Sequence, residues 1–206
     1  MKTLKKYKGI FIFLLITPFI LGVSFVKILD KTVKKRNRPI EYIVIHYTAN
    51  LNAGATAKMN AIYLRNKERA GTHYCIDDVE IIQCTEENNV AYAVGDNKWL
   101  GFVPKFWLKD KIKNNNSLSY EMCFGGGRSD SLIMDLTAKA VGWQLVNKGL
   151  DISRVVRHHD VSGKQCPKFN YASAEWDQKK EDIAFSKFKN LVAHYQYLNL
   201  QKKIKK

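Results

Sequence analysis

Hydrophobic and polar positions along the chain alternate between the two-residue period of strands and the longer period of helices. Short β-branched and aromatic runs predict strands over 41–47, 73–77, 80–84, 117–124 and 154–156. Apolar positions three and four residues apart predict helices over 54–69, 131–149 and 178–204, with Met59 and Tyr63 on the apolar stripe of the first. Strands that alternate with helices favour an α/β fold, here a single domain with a central mixed β-sheet flanked by helices.

The start of the chain has a different pattern. A basic segment, 1–8, precedes an uncharged apolar run, 9–26, and a charged linker, 27–38, follows that run. As a helix the run would extend about 27 Å, close to the thickness of a bilayer core. It therefore predicts an N-terminal membrane-spanning anchor, with a cleaved signal segment and secretion as the alternative. In either case we expect the following domain to lie outside the cytoplasm, in the periplasm or at the cell exterior.

The net charge of +15 belongs to the two ends of the chain. Segment 1–38 holds ten Lys and Arg against one acid, and the C-terminal helix or tail, 187–206, holds six Lys and no acid. The domain between them, 39–186, carries 18 basic and 18 acidic residues. A nucleic-acid-binding protein needs basic charge on its folded surface, so we expect no nucleic acid as partner. The basic ends instead suit contacts with anionic lipid or cell wall.

Composition narrows the class of protein further. A hydrophobic fraction of 46% excludes a disordered chain, and four cysteines in 206 residues are too few for a disulfide scaffold. In the predicted hairpin Cys75 would face Ile82 rather than Cys84. We therefore expect Cys75, Cys84 and Cys123 to be buried free thiols.

The strand predicted over 117–124 carries a carboxylate in its interior. Its two-residue period divides the side chains into an apolar face, Leu118, Tyr120, Met122 and Phe124, and a more polar face, Ser117, Ser119, Glu121 and Cys123. Burying a carboxylate is costly unless it has a partner or a purpose. Glu121 is therefore a candidate general base, with an exposed edge-strand glutamate as the alternative.

Two further features indicate a metal site. His46 lies at the end of a hydrophobic strand, and the segment RHHDVSGKQCP, 157–167, contains two histidines and a cysteine. Histidine and cysteine are preferred zinc ligands, and a catalytic zinc has three protein ligands plus a water. One His from the strand end with one His and the Cys from the loop meets that number, which predicts Zn²⁺ as cofactor.

The order of these motifs resembles the zinc-dependent N-acetylmuramoyl-L-alanine amidases, the type 2 amidases that include phage endolysins and peptidoglycan recognition proteins. The resemblance covers roughly 39–185 and is carried by Ile45–Ala49, Gly71–Asp77, Ser117–Glu121 and His158–Pro167. It implies that His46, His158 and Cys166 hold the zinc. His158 is preferred to His159 because it lies eight residues before Cys166, the spacing of the family.

The resemblance also implies roles for other residues. Many relatives have a catalytic tyrosine where this chain has Thr72, whereas members with a glutamate on the central strand use that carboxylate, and Glu121 matches it. Lys164 matches the lysine that stabilises the oxyanion. Candidates for ligand orientation or substrate contact are Asp160, His73, Thr48 and Asp96.

The implied activity is hydrolysis of the amide bond between N-acetylmuramic acid and L-alanine in peptidoglycan, by a protein expected to be a monomer. Zinc would acidify a water and polarise the amide, and Glu121 would accept the proton. The alternative is a recognition module of the same fold that binds peptidoglycan without cutting it. Cys166 favours the enzyme, because recognition-only members typically lack this ligand.

Overall fold

The computed structural model describes residues 24–29, 34–67, 70–94, 108, 111–170 and 175–205. Its strands are β1 (Ser24–Lys27), β2 (Lys34–Lys35), β3 (Tyr42–Tyr47), β4 (Tyr74–Ile76), β5 (Glu80–Gln83), β6 (Asn89–Val90), β7 (Ser117–Met122) and β8 (Val155–Arg157). Its α-helices are α1 (Ala57–Arg65), α2 (Asp130–Lys148), α3 (His158–Ser162) and α4 (Gln178–Ile204).

Six of these strands form one mixed sheet in the order β1–β5–β4–β7–β3–β8. β4 and β5 pair antiparallel as a hairpin, and the other neighbours in the sheet pair in parallel. β2 and β6 form a separate antiparallel pair. The predicted mixed sheet with flanking helices is confirmed. Cys75 faces Ile82 in the hairpin, and Cys75, Cys84 and Cys123 are buried free thiols, as predicted.

The alternation of side chains along β7 separates two layers of core. Leu118, Tyr120 and Met122 belong to the main core, which also contains the inner faces of α2 and α4. On the opposite face of the sheet, α1 packs through Ala57 and Ala61 against the hairpin side chains. These small residues let the helix approach the sheet closely.

The predicted apolar stripe of α1 is wrong. Met59 and Tyr63 point away from the sheet and are 53% and 61% exposed. The two alanines occupy the buried face instead, because the space between α1 and the hairpin is filled by Ile82 and the cysteine side chains.

The fold begins before residue 39, so the boundaries predicted near the N-terminus need correction. Ser24–Val26, the last residues of the apolar run 9–26, lie in β1 and pair with β5. Lys34 and Lys35 of the predicted linker 27–38 form β2. The rest of the predicted anchor lies outside the described residues. None of the helices in the described part of the chain has the length and apolar content needed to cross a membrane.

Arg36 attaches this early segment to the domain. Its guanidinium donates hydrogen bonds to four backbone carbonyls, those of Glu87, Asn89, Asn114 and Ser117. Carbonyls at strand and turn ends need donors when they are shielded from water. Arg36 therefore closes the end of the sheet opposite to the one where β3 and β7 end.

His73 is part of the same polar group and is fully buried. Its Nδ1 accepts the Ser119 backbone N–H at 3.0 Å, so a neutral ring carries its proton on Nε2, 3.2 Å from the carbonyl of Asn89. Burial, assisted by the charge of Arg36, lowers the pKa of His73 to about 3. Both ring nitrogens are therefore used to join strands, and His73 acts as a structural residue.

The buried neutral state of His73 predicts an acid sensitivity. Because its folded pKa of about 3 lies below the unfolded value of 6.5, unfolding takes up a proton as the pH falls through this window. Protonation of His73 in the unfolded chain should therefore lower the free energy of unfolding by about 1.4 kcal/mol for each pH unit below 6.5. In His73→Gln we expect this part of the pH dependence of the unfolding free energy to vanish. Denaturant unfolding in the presence of chelator, at about pH 4.5–6, measures it.

His194→Gln, which removes an exposed histidine from α4, is the matched control for this measurement. Equal slopes in the wild-type chain and His73→Gln would show that His73 is protonated in the folded protein.

Candidate metal centre and active site

Three buried side chains converge at the edge of the sheet where β3 ends: His46, His158 and Cys166. The Nδ1 atoms of the two histidines are 3.1 Å apart, and the Cys166 Sγ is 3.9 Å from Nδ1 of His46. All three ligand atoms lie within 4.8 Å of one another. Atoms bound to one tetrahedral zinc at about 2.0–2.3 Å stand about 3–4 Å apart, and both distances from His46 lie in that range.

Strand register explains why residues so distant in sequence meet here. β3 pairs in parallel with β8, and Ile45 lies opposite Arg157. The residue that follows each of these two is a histidine: His46 near the end of β3, and His158 at the first position of α3. Parallel strands present their carboxyl ends at one edge, so the two imidazoles meet there.

The protonation states suit a metal as well. Burial lowers the pKa of His46 well below its usual value, and the charges of His158 and Lys164 act in the same direction. Burial and the charge of Lys164 lower the pKa of His158 to about 3. Both imidazoles are therefore neutral at pH 7, the state in which they bind metal. Among the described residues, Nε2 of His46 is buried without a hydrogen-bond partner.

Cys166 is the third member of the group. Burial is the main cause that raises the pKa of its thiol, and the nearby Glu121 carboxylate adds to it. The backbone N–H of Tyr47 acts in the opposite direction, because it donates a hydrogen bond that favours the thiolate. A dication bound at this point would complete the change to thiolate, since metal binding releases the proton of a cysteine ligand. The residues present therefore fit a zinc ion.

Glu121 lies directly opposite His46 in the pairing of β3 with β7. Residues paired across a sheet point to the same face, so the carboxylate lies on the side of the metal ligands. Its Oε2 is buried and has no hydrogen-bond partner within the described part of the chain. Burial raises the pKa of Glu121 to about 7, although the charge of Lys164 opposes the increase.

Lys164 is exposed on the loop between α3 and Cys166. Its charge acts on Glu121 and on both histidines, which places the ammonium group within electrostatic reach of the whole cluster. The structure thus brings together the three predicted ligands, the predicted base and the predicted cation.

The other predicted contacts lie in different places. Asp160 accepts hydrogen bonds from the backbone N–H and the guanidinium of Arg157, so it stabilises the start of α3 and does not contact a ligand ring. Thr48 is half-buried and donates its backbone N–H to Met122. His73 belongs to the structural group around Arg36, and Asp96 lies outside the described residues.

Thr72, at the position of the family's tyrosine, is also structural. It is fully buried and donates its hydroxyl to the carbonyl of Ser119 at 2.9 Å. His159, the histidine not chosen as ligand, packs against Trp176 in a tilted arrangement with ring centroids 5.0 Å apart.

Two loops after the strands of the site are packed without spare room. A Cβ on Gly125, which follows β7, would lie 2.7 Å from the carbonyl oxygen of Asn52 in the loop after β3. Gly126 adopts φ +81°, and a Cβ there would lie 2.5 Å from the oxygen of Ala53. Glycine is required at both positions, because any side chain would push the two loops apart.

Sequence reasoning missed several residues that support the cluster. Tyr47 supplies the N–H to Cys166, Arg157 binds Asp160 and Asp182, and Glu181 accepts backbone N–H groups from the segment after Cys166. No local pattern in the sequence indicated these contacts.

The fold and the cluster together define a mixed α/β domain with a buried His–His–Cys group at the edge of its sheet that could hold a metal ion. Residues 36–169 match the N-acetylmuramoyl-L-alanine amidase family, and the chain therefore belongs to that family. This confirms the resemblance drawn from the motifs.

Two curated relatives come from Bacillus subtilis (strain 168). The N-acetylmuramoyl-L-alanine amidase XlyB is 32% identical over 145 residues, and CwlA is 31% identical over 146 residues. Each alignment covers 69% of this chain, but only 42% of XlyB and 48% of CwlA. The chain thus spans less than half the length of these relatives.

Solved structures show the same fold. The catalytic domain of XlyA has a TM-score of 0.61 at 20% identity, covering 82% of this chain and 99% of that domain. The Staphylococcus aureus hydrolase AmiA, solved with its ligand, has a TM-score of 0.63 at 16% identity, covering 89% of this chain and 88% of its own.

The site geometry predicts one zinc per chain. His46→Ala, His158→Ala and Cys166→Ala should each reduce the zinc content of the purified full chain sharply, because each removes one of three protein ligands. Metal analysis by mass spectrometry measures this. His159→Ala is the matched control and should retain the metal. Zinc lost from His159→Ala but kept in His158→Ala would show that the ligand was assigned to the wrong histidine.

Proposed function

We propose that this chain is a zinc-dependent N-acetylmuramoyl-L-alanine amidase, which hydrolyses the amide bond between N-acetylmuramic acid and L-alanine in peptidoglycan. The observation that carries the proposal is the position of Glu121 beside a His–His–Cys group: the side chain is half-buried, and its Oε2 is buried without a hydrogen-bond partner among the described residues. Membership of the amidase family supports this choice of bond, as do the curated amidases at about 30% identity.

His46, His158 and Cys166 would hold the zinc, which when bound acidifies a water and polarises the scissile carbonyl. Glu121 accepts a proton from the attacking water and returns it to the amine of L-alanine as that group leaves. Burial raises the pKa of this carboxyl, which makes its anion a stronger proton acceptor than an exposed carboxylate.

Lys164 supports the same step from the solvent side. From the loop before Cys166 its positive charge acts on Glu121 and His158, and we assign it to the negative charge that develops on the carbonyl oxygen during attack. A positive charge placed there before the reaction stabilises the transition state more than the substrate.

A recognition module of the same fold is the second candidate function. Binding without cleavage needs neither a complete ligand set nor a base. The retention of Cys166 beside both histidines, with Glu121 opposite His46, therefore favours the enzyme.

We further propose that the N-terminal segment carries the domain across the cytoplasmic membrane and stays attached to it. The apolar residues before β1, 9–23, follow a basic segment, the order typical of exported proteins. At about 1.5 Å per residue they would extend roughly 22 Å, which is short for a bilayer core and requires local thinning. Retention is proposed because the small-x-small sequence Gly22-Val23-Ser24 is a weak cleavage site, followed by the bulky residues Phe25 and Val26.

The role of Glu121 can be tested with the isosteric change Glu121→Gln. We expect kcat to fall by about 10²–10⁴, because a positioned general base contributes that factor. Zinc content and folding should be unchanged. The measurement is mass spectrometry of peptidoglycan digested by the full chain, with and without chelator, following release of stem peptides that begin with L-alanine.

Glu86→Gln is the matched control, since Glu86 is an exposed acid in an ion pair with Lys27. Turnover above about a third of wild type in zinc-loaded Glu121→Gln, far outside the factor expected of a base, would place that role on another group.

Membrane attachment has its own test. The full chain, expressed in a bacterium, should fractionate with membranes and resist carbonate extraction, because the segment before β1 is apolar. The same chain without residues 1–23 should appear in the soluble fraction. N-terminal sequencing of the extracted protein is the second measurement, and a mature N-terminus near Ser24 would show cleavage and secretion instead.

A further inference from the structure

The first turn of α4 lies beyond the residues that match the amidase family, which end at 169. Two adjacent acids on this turn, Glu181 and Asp182, reach back into the matched region. They contact the two segments that hold His158 and Cys166.

Glu181 binds the segment that follows Cys166. Its carboxylate is 1% exposed and accepts the backbone N–H of Phe169 at 2.8 Å and that of Asn170 at 3.2 Å. Each oxygen takes one N–H, so the carboxylate spans two successive residues. A buried carboxylate needs such partners, and in return it fixes the backbone three and four residues after the ligand.

Asp182 binds the segment that begins with His158. It accepts a hydrogen bond from Nη1 of Arg157 at 2.8 Å, and the same guanidinium binds Asp160 of α3 at 2.7 Å. Arg157 immediately precedes His158 and is itself buried, stacked on Phe185 of α4 at 5.0 Å. The guanidinium therefore links Asp182 of α4 to Asp160 in the first turn of α3.

We propose that the first turn of α4 positions the metal centre: Glu181 and Asp182 are positioning residues that hold the Cys166 and His158 segments at the spacing a zinc ion requires. His46 needs no such support, because the central strand β3 holds it. The metal affinity of the site thus depends on a helix outside the amidase-matched region. This inference rests on the proposed zinc function.

The carboxylate geometry gives a sharp variant. Glu181→Gln keeps the shape of the side chain but replaces one acceptor oxygen with an NH₂ group that faces a backbone N–H. One of the two hydrogen bonds must then break. Asp182→Asn removes the charge that Arg157 binds, at a position with a 52% exposed side chain where folding should be retained.

The experiment measures zinc affinity by chelator competition on the purified full chain, together with the melting temperature of the metal-free protein. We expect Glu181→Gln and Asp182→Asn to bind zinc about tenfold more weakly, the lower end of the effect seen for groups that orient ligands. Hydrogen exchange of the Phe169 and Asn170 amides should quicken in metal-free Glu181→Gln.

Asp135→Asn is the matched control, because Asp135 of α2 accepts the hydroxyl of Tyr195 on the same helix α4. Tyr195 lies 14 residues after Glu181, about 21 Å along the helix, away from both ligand segments. This variant should change zinc affinity by less than about twofold, well below the effect of ligand-orienting groups.

The outcomes separate the two proposals. Variants that lose thermal stability but bind zinc like the wild-type chain would overturn the positioning role and leave the amidase proposal intact. A wild-type chain that binds no zinc would overturn both. If Glu181→Gln does not fold, Asp182→Asn decides the question by the same criterion.

Discussion

The parallel pairing of β3 with both β7 and β8 is the constraint on which the site depends. It brings His46 beside His158, which lies 112 residues later in the chain, and opposite Glu121, which lies 75 residues later. A shift of one residue in either pairing would turn a ligand or the base to the other face of the sheet. The large apolar core under that sheet, shared with α2 and α4, opposes such a shift because it would expose buried side chains to water.

Burial sets the charge state of the site, and one exposed cation modulates it. Two neutral histidines, a protonated thiol and a carboxyl with a raised pKa are the expected states of titratable groups that have lost their water. A dication would reverse this preference at the thiol and at the carboxyl, since it favours their anionic forms. Binding of such an ion would therefore set the charge of the thiol and of the carboxyl.

The sequence alone predicted the parts of the molecule that depend on local pattern. The strands β3, β4, β5, β7 and β8 and the helices α2 and α4 follow from apolar periodicity. Residue types indicated His46, Cys166 and one of two adjacent histidines, and the family resemblance selected His158. Arg36 and Glu181 could not be predicted, because their partners lie 11 to 81 residues away and are backbone groups with no sequence signal. The predicted anchor, 9–26, wrongly included the start of β1. A short apolar run such as Ser24–Val26 is compatible both with a membrane helix and with an edge strand.

The close contact of Gly125 and Gly126 with the loop after β3 has a consequence for how this site can change over evolution. Neither loop can accept a larger side chain at the contact unless the other retreats, so the two must vary together. Because one loop follows His46 and the other follows Glu121, a gain of new specificity through one loop alone would disturb the spacing of ligand and base. Change is therefore easier around Lys164, where the chain is exposed.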